Sequence, residues 1–448
     1  MTEEPAPDQP PPEQHPILRT PLSEGAPAPR RRPGPLRLGR NVNVATLARV
    51  SMSAARALAG VVVPVYLASV GYSALRLGLL FVVAGVASAL LSTTVGFLSD
   101  RLGRKAFMVA VPLLATLGGV AFALTLNPVA IFAGAALGSF GRGGGAGGGT
   151  VGPYAPAEQA LVAESVPAAR RNSAFGWLGF GSSVGAVAGS AVVVGLVPGH
   201  PSAAHAMAAY RPAFVALAAC AFLASVLGLL LREIRPCSPT PHPRSHRPLL
   251  PRASRGLLYR LWITNAINGT AVGMFGPFVS YWFYRRFGVG AGTIGELYAI
   301  INASTTVANL AAPVVARRLG LIRSSTLFRI AQSVLLVPMV LAPSFAVAGA
   351  IYLVRMMAQR ASMPLRQSYV MAQSDPAERA RVAALAQLPT QGTTAASPAA
   401  AGELFDHVAL AAPFLAGAAL QLTNAIVYYA FFRRRPPEEE LARAAGSS

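Results

Sequence analysis

Ionisable and amide side chains stranded in apolar stretches are the groups in this chain with chemistry to perform. Arg56, Arg142, Arg355 and Arg360 each sit inside a long run of apolar residues. An arginine facing hydrocarbon at mid-depth costs several kcal/mol, so each must meet a cavity or a partner. In a cavity, a guanidinium recognises an anion or a strongly hydrogen-bonding solute, and Arg56 and Arg355 are best placed to line one. The competing role is pairing between helices, with carbonyl groups or with Glu158. Carboxylates able to carry a proton are few. Five of the 17 acids lie in the first 24 residues and three in the run Glu438–Glu440. Asp100, Glu158, Glu164, Glu233, Asp375 and Glu378 fall near segment ends on one side, and Glu403 and Asp406 on the other. Glu296 lies about a turn into its segment, a position that also suits the positive end of a helix dipole. Glu296 and Glu158 are therefore the candidates for proton coupling. Asn265 and Asn268 are three residues apart and share a helix face, where they can bond a solute or another helix. Asn302, Thr305, Thr306, Asn309 and Gln332 add further polar positions. No nucleophile stands beside a base, and no glycine-rich loop ends in Lys-Ser or Lys-Thr. Cys220 and Cys237 make neither a disulfide framework nor a metal cluster. Enzyme chemistry, a bound metal and a cofactor are not expected.

Such groups need helices to hold them at depth. The 448 residues are 53% hydrophobic and only 12% charged, with a mean hydropathy of +0.48. An ordinary soluble domain carries about twice that share of charge. A bilayer-spanning helix takes about 20 apolar residues, so about 400 residues hold twelve with their loops. The pattern predicts an all-α membrane protein with helices near 43–68, 76–98, 105–126, 130–163, 173–196 and 211–231, then near 257–284, 291–314, 323–343, 345–371, 380–402 and 408–432. Residues 1–40, rich in proline and arginine, form a disordered tail; 41–231 make a first six-helix bundle and 232–256 a linker. Residues 257–433 make a second six-helix bundle, and 434–448 a closing tail. The run 141–153 is crowded with glycine, which weakens a helix in water by up to ~1 kcal/mol per residue but allows close packing in lipid. Gly269, Gly273 and Gly276-Pro277 mark the seventh segment for bending, and Trp262 and Trp282 near its ends suit interfacial anchors.

The formal charge of +21 comes from 38 basic against 17 acidic residues. The basic residues concentrate in both tails, the linker and alternate turns, including Arg101, Arg104, Lys105, Arg170, Arg171, Arg317, Arg318, Arg379 and Arg381. The opposite turns hold only Arg76, Arg211, Arg285 and Arg286. Positively charged loops stay in the cytoplasm, so both termini are placed there, in a multi-pass protein of the plasma or bacterial inner membrane. Nucleic-acid binding is not needed to explain the charge.

The chain also repeats itself. A shift of 217 residues lays Arg101-Leu102-Gly103 on Arg318-Leu319-Gly320. The stretch 156–170, PAEQALVAESVPAAR, matches 364–379, PLRQSYVMAQSDPAER, with one insertion. Two copies in the same orientation place a solute site at their interface near the midplane. Asp100 answers to Arg317 and Glu158 to Arg366 across the copies, so ion pairing between the halves could close the cytoplasmic face.

The stretch Gly96-Phe97-Leu98-Ser99-Asp100-Arg101-Leu102-Gly103-Arg104-Lys105 resembles the signature G-x-x-x-D-R-x-G-R-K of the major facilitator superfamily. Arg142 before its glycine run, and Gly181, Gly185 and Gly189 every fourth residue, are similar to weaker patterns of that family; the last lacks the Gly-Pro pair of its drug/proton antiporters. The resemblance, over roughly 43–433, implies two bundles working by alternating access, with Gly96, Asp100, Arg101, Gly103, Arg104 and Lys105 controlling the switch rather than holding solute. The expected function is secondary transport of a small solute by a monomer in the lipid bilayer, with export the preferred direction and protons the candidate coupling ion. Uptake or facilitated diffusion of an anionic metabolite is the alternative within transport. A non-transporting membrane scaffold or sensor is the alternative outside it.

Overall fold

Nine of the described helices run for 21 to 30 residues, most of them predominantly apolar. A computed structural model describes residues 39–140, 152–167, 170–197, 199, 201, 203–233, 254–304, 320–374 and 378–433. In the first half these are α1 (Arg40–Ser69), α2 (Ala74–Leu102), α3 (Arg104–Leu124), α4 (Pro128–Gly138), α5 (Ala155–Ser165), α6 (Arg171–Leu196) and α7 (Ala206–Leu229). In the second half follow α8 (Arg255–Phe275), α9 (Val279–Phe287), α10 (291–304), α11 (Leu321–Val334), α12 (Leu336–Leu341), α13 (Phe345–Gln373), α14 (Arg379–His407) and α15 (Ala412–Phe432). No strand occurs among the described residues. Each expected segment answers to one helix or to an interrupted one: α4 with α5, α8 with α9, and α11 with α12. Among the described residues, seven helical stretches, one of them α11 with α12, are long and apolar enough to cross a membrane on those grounds alone. The Ser73 hydroxyl accepts from Arg76 N–H at the start of α2, and the Asn127 side chain from Val129 N–H at the start of α4, the usual way to satisfy a free helix end.

Within each half, small residues bring helices together. A Cβ built on Gly185 of α6 would collide with the Val50 carbonyl oxygen of α1, and one on Gly189 with that of Ala54. In the second half, Gly269 and Gly273 of α8 lie against Thr390, Thr393 and Thr394 of α14. These glycines are packing devices, and the bend in the seventh segment falls further on, where Gly276–Phe278 form a 3₁₀ turn around Pro277.

The end of the bundle carrying the Gly103 turn is the motif end. Among the described residues, the contacts that tie the halves together lie toward the other end. There α2 runs along α14, with Gly78 on the backbone of Pro398, Gly85 on Ala395 and Gly402 on Leu75. The Asp406 carboxylate of α14 accepts from Ala74 N–H (3.0 Å) and Leu75 N–H (2.9 Å) at the start of α2. Ser280 donates to the Gly60 carbonyl (3.0 Å), Asn302 donates to Ser190 Oγ (3.3 Å), and Phe81 meets Phe278 edge to face. Trp282, expected as an interfacial anchor, is instead 1% exposed, its ring packed among Phe283, Phe287 and Phe414.

Candidate functional site

In the first half, the Glu158 carboxylate of α5 forms an ion pair with Arg49 of α1, with hydrogen bonds from Arg49 Nε at 3.0 and 3.1 Å. Glu158 is fully buried, and no other carboxylate among the described residues is. Pairing of Glu158 with Arg366 across the halves is not what the structure holds. A nearer cation, one helix away in the same half, already satisfies the acid, and a buried carboxylate requires such a partner.

The second half repeats the arrangement with different chemistry. Arg366 of α13 donates through Nη2 to the Asn265 amide oxygen of α8. Asn265 also donates to the Ala386 carbonyl of α14, while Thr390 donates to the Asn265 carbonyl (3.2 Å). Thus the first and fourth segments of each copy are bridged at matching places. The bridge is guanidinium to carboxylate in one copy and guanidinium to amide in the other.

Two more cations lie nearby in the second half. Arg329 of α11 is 5% exposed, with its guanidinium 4.5 Å from the Tyr428 ring centre. With the Asn424 amide oxygen turned toward the cation, Arg329 Nη1 donates to it (2.6 Å), and Asn424 donates to the Thr264 carbonyl (2.9 Å). Asn268 stands beside Asn424 at 3.4 Å. Arg355, 1% exposed, stacks over Phe275 at 4.5 Å and donates to Gln359 (3.2 Å) and Gln421 (3.5 Å). The Nε atoms of Arg329 and Arg355 have no hydrogen-bond partner. Arg360 lies near Tyr352, whose ring also flanks Arg355.

Arg56 is buried beside Gly152 and Tyr154, its Nη2 reaching the Ser139 carbonyl at 3.4 Å. The partners described for Arg56 and for Arg355 each belong to that residue's own half. Glu296 is exposed on α10, so burial does not single it out. Arg142, Arg317 and the Asp100 side chain lie outside the described residues, as do Thr305, Thr306 and Asn309.

At the motif end, Gly103 adopts φ +94°, a left-handed conformation that favours glycine. Gly320, its counterpart in the repeat, adopts φ +80°. The Glu233 carboxylate accepts from Arg104 N–H (2.8 Å) and Lys105 N–H (3.0 Å) at the start of α3. The Arg104 guanidinium pairs with Glu164 of α5. Arg101 is exposed, and Gly96 faces Pro156 of α5 at 3.9 Å, an ordinary contact. Sequence reasoning missed Arg49, Arg329, Asn424 and the Glu233 cap. Arg49 had one available signal: it stands seven residues before Arg56, two helical turns along the same face.

The bundle of paired helices, buried charges and basic motif turn is that of a multi-pass membrane transporter. A profile of the Major Facilitator Superfamily matches residues 45–357 and, overlapping, 261–447; the chain belongs to that superfamily, and its family and fold are those of a transporter, not an enzyme. The search of curated sequences gives no match. Among solved structures, the chain is similar to a mutant form of the nucleoside transporter NupG (TM-score 0.70, 13% identity, 88% of this chain and 100% of that one). It is also similar to the inward-open xylose transporter XylE from E. coli (TM-score 0.66, 15% identity, 87% and 95%). A bacterial homolog of the human lysosomal transporter Spinster, inward-facing and occupied, gives a TM-score of 0.65 at 16% identity over 88% and 96%. At these identities the likeness establishes the fold alone.

Proposed function

We propose that this chain is a secondary transporter that exports a small solute across the plasma membrane by alternating access, driven by protons that load at Glu158. The observation that carries the reading is the one-sided seam. Among the described residues, contacts between the halves gather at the end marked by Ala74 and Asp406, away from the basic motif turn. Arginine placement favours a cytoplasmic motif end, and a seam closed at the opposite end fits an inward-facing state. The Asp406 latch on the first turn of α2 holds the outer end closed through a carboxylate at a helix N-terminus. Two repeated halves that rock about a shared site supply the transport cycle.

Glu158 suits the proton because it alone among the described carboxylates is wholly buried and its partner lies on another helix. Protonation would break the ion pair and leave Arg49 seeking another acceptor, which changes how α1 and α5 hold together. A structural relative that is a D-xylose-proton symporter fits proton use by this fold, though not its direction. The test is flux through purified protein in liposomes under an imposed pH gradient. Wild-type flux should follow the gradient, while Glu158→Gln should retain exchange at zero gradient and lose the response to pH. Gradient-independent flux in the wild type removes the proton, and absence of flux for any solute leaves a membrane scaffold.

A further inference from the structure

Comparison of the two copies exposes a charge that one copy cancels and the other does not. In the first, the bridge between the first and fourth segments is neutral overall, Arg49 against Glu158. In the second, the same bridge carries a net positive charge, Arg366 against Asn265. Arg329 adds to it: its guanidinium shares the Tyr428 surroundings with Arg366 and feels its repulsion. Arg355 stands eleven residues before Arg366 on α13, about 16 Å along the helix, with amides, a thioether and aromatic rings as its neighbours. No carboxylate pairs with Arg329, Arg355 or Arg366 among the described residues.

Three guanidiniums in one half with no paired acid among the described residues are a costly arrangement in a bilayer, and two of them, Arg329 and Arg366, share one site. Arg329 and Arg355 are more than nine-tenths buried with an unused Nε donor each, whereas Arg366 is partly exposed. Asn265 stands ten residues into α8 from Arg255, about 15 Å along the helix at the helical rise, on the motif-end side of the seventh segment. Arginine presents a planar fork that takes a carboxylate or phosphoryl group by paired hydrogen bonds.

We infer that the second half binds a small anionic solute, a carboxylate or phosphate, on Arg366, with Arg329 behind it supplying positive field and Asn265 fixing the guanidinium. The solute's anion occupies, in this copy, the place that Glu158 fills in the other. The inference rests on the transport reading and narrows its substrate class. It moves the anion site from Arg56 and Arg355, where the sequence pattern puts it, to Arg366.

The test uses full-length protein in detergent, unfolded thermally with sodium succinate, sodium phosphate, sodium chloride at matched ionic strength, or mannitol. Succinate or phosphate should raise Tm by about 2–4 °C over chloride. Mannitol should not. Arg366→Gln should lose the shift and Arg366→Lys keep part of it. Asn265→Asp supplies the missing carboxylate from the protein, so it should raise Tm without added anion and cancel the response to succinate and phosphate. A response that survives in both Arg366→Gln and Asn265→Asp overturns the site, and so does a wild type unmoved by both anions. Liposome flux separates this from the reading beneath it. Flux of a neutral solute with no anion response keeps the transporter and discards the anion site. An anion response with no flux of any solute does the reverse.

Discussion

Arg49 and Glu158 show how much one buried side chain depends on another. Removing one partner of a buried pair strands the other, at a cost of about 3–5 kcal/mol, while removing both costs far less. Glu158→Ala should therefore lower Tm sharply, and adding Arg49→Ala should restore most of the loss. Equal, additive losses in a double-mutant cycle measured by thermal unfolding would show that the pair has no such coupling. Gly103 offers a second check at this scale. A side chain there meets a φ of +94° and the Glu233 carboxylate at about 3.1–3.3 Å. Gly103→Ala should cost about 1–2 kcal/mol, read as a fall in Tm, and Gly320→Ala should cost a similar amount by backbone strain. The glycine pair and its 217-residue spacing were legible in the sequence, because a repeat preserves residues with backbone duties. The Arg49–Glu158 pair was not. Its members stand 109 residues apart, and hydropathy reports depth without reporting which face of a helix meets which neighbour.

Helices were the most legible element, because a bilayer forces apolar runs of fixed length to satisfy their own backbone bonds. Interruptions were harder. Gly269, Gly273 and Gly276 look alike in the sequence, but the first two admit α14 and only the third begins the 3₁₀ turn. Glu233 was hidden for a related reason: it sits just past α7, where composition already reads as linker, and still caps α3. The glycines of α6 provide a contrast within one helix. A Cβ at position 185 would collide with the α1 backbone, while one at position 195 would meet nothing within 4 Å. Gly185→Ala should destabilise by about 1–3 kcal/mol through overpacking, and Gly195→Ala should be neutral or gain up to about 1 kcal/mol in helix propensity. Thermal unfolding of the two variants side by side decides it. Similar losses would mean that α6 does not lie on α1 as described.

For the whole molecule, the repeat foretold two alike halves, yet the surfaces on which they meet came only from the structure. Those surfaces depend on which face of α2 confronts which face of α14. A cysteine pair measures it directly. The Cβ of Ala395 lies 3.0 Å from a Cβ built on Gly85, near the spacing of about 3.5–4.5 Å that a disulfide prefers. With Cys220 and Cys237 replaced by serine, Gly85→Cys with Ala395→Cys should cross-link on oxidation and arrest liposome flux, and reduction should restore it. Flux that continues through the cross-linked protein would show that this seam need not part during transport. Asp406→Ala should favour the opposite state by about 1 kcal/mol, the usual worth of a helix cap, seen as faster labelling of a cysteine placed at Ala74. The α2–α14 seam has a kinetic consequence as well. Glycine and alanine rest there on bare main chain, so no interlocked side chains must rotate free before the surfaces separate. The aromatic surface wetted nearby is that of Phe81 where it leaves Phe278. The activation barrier for separation should then be largely enthalpic, set by a handful of polar bonds, giving a rate that rises markedly on warming.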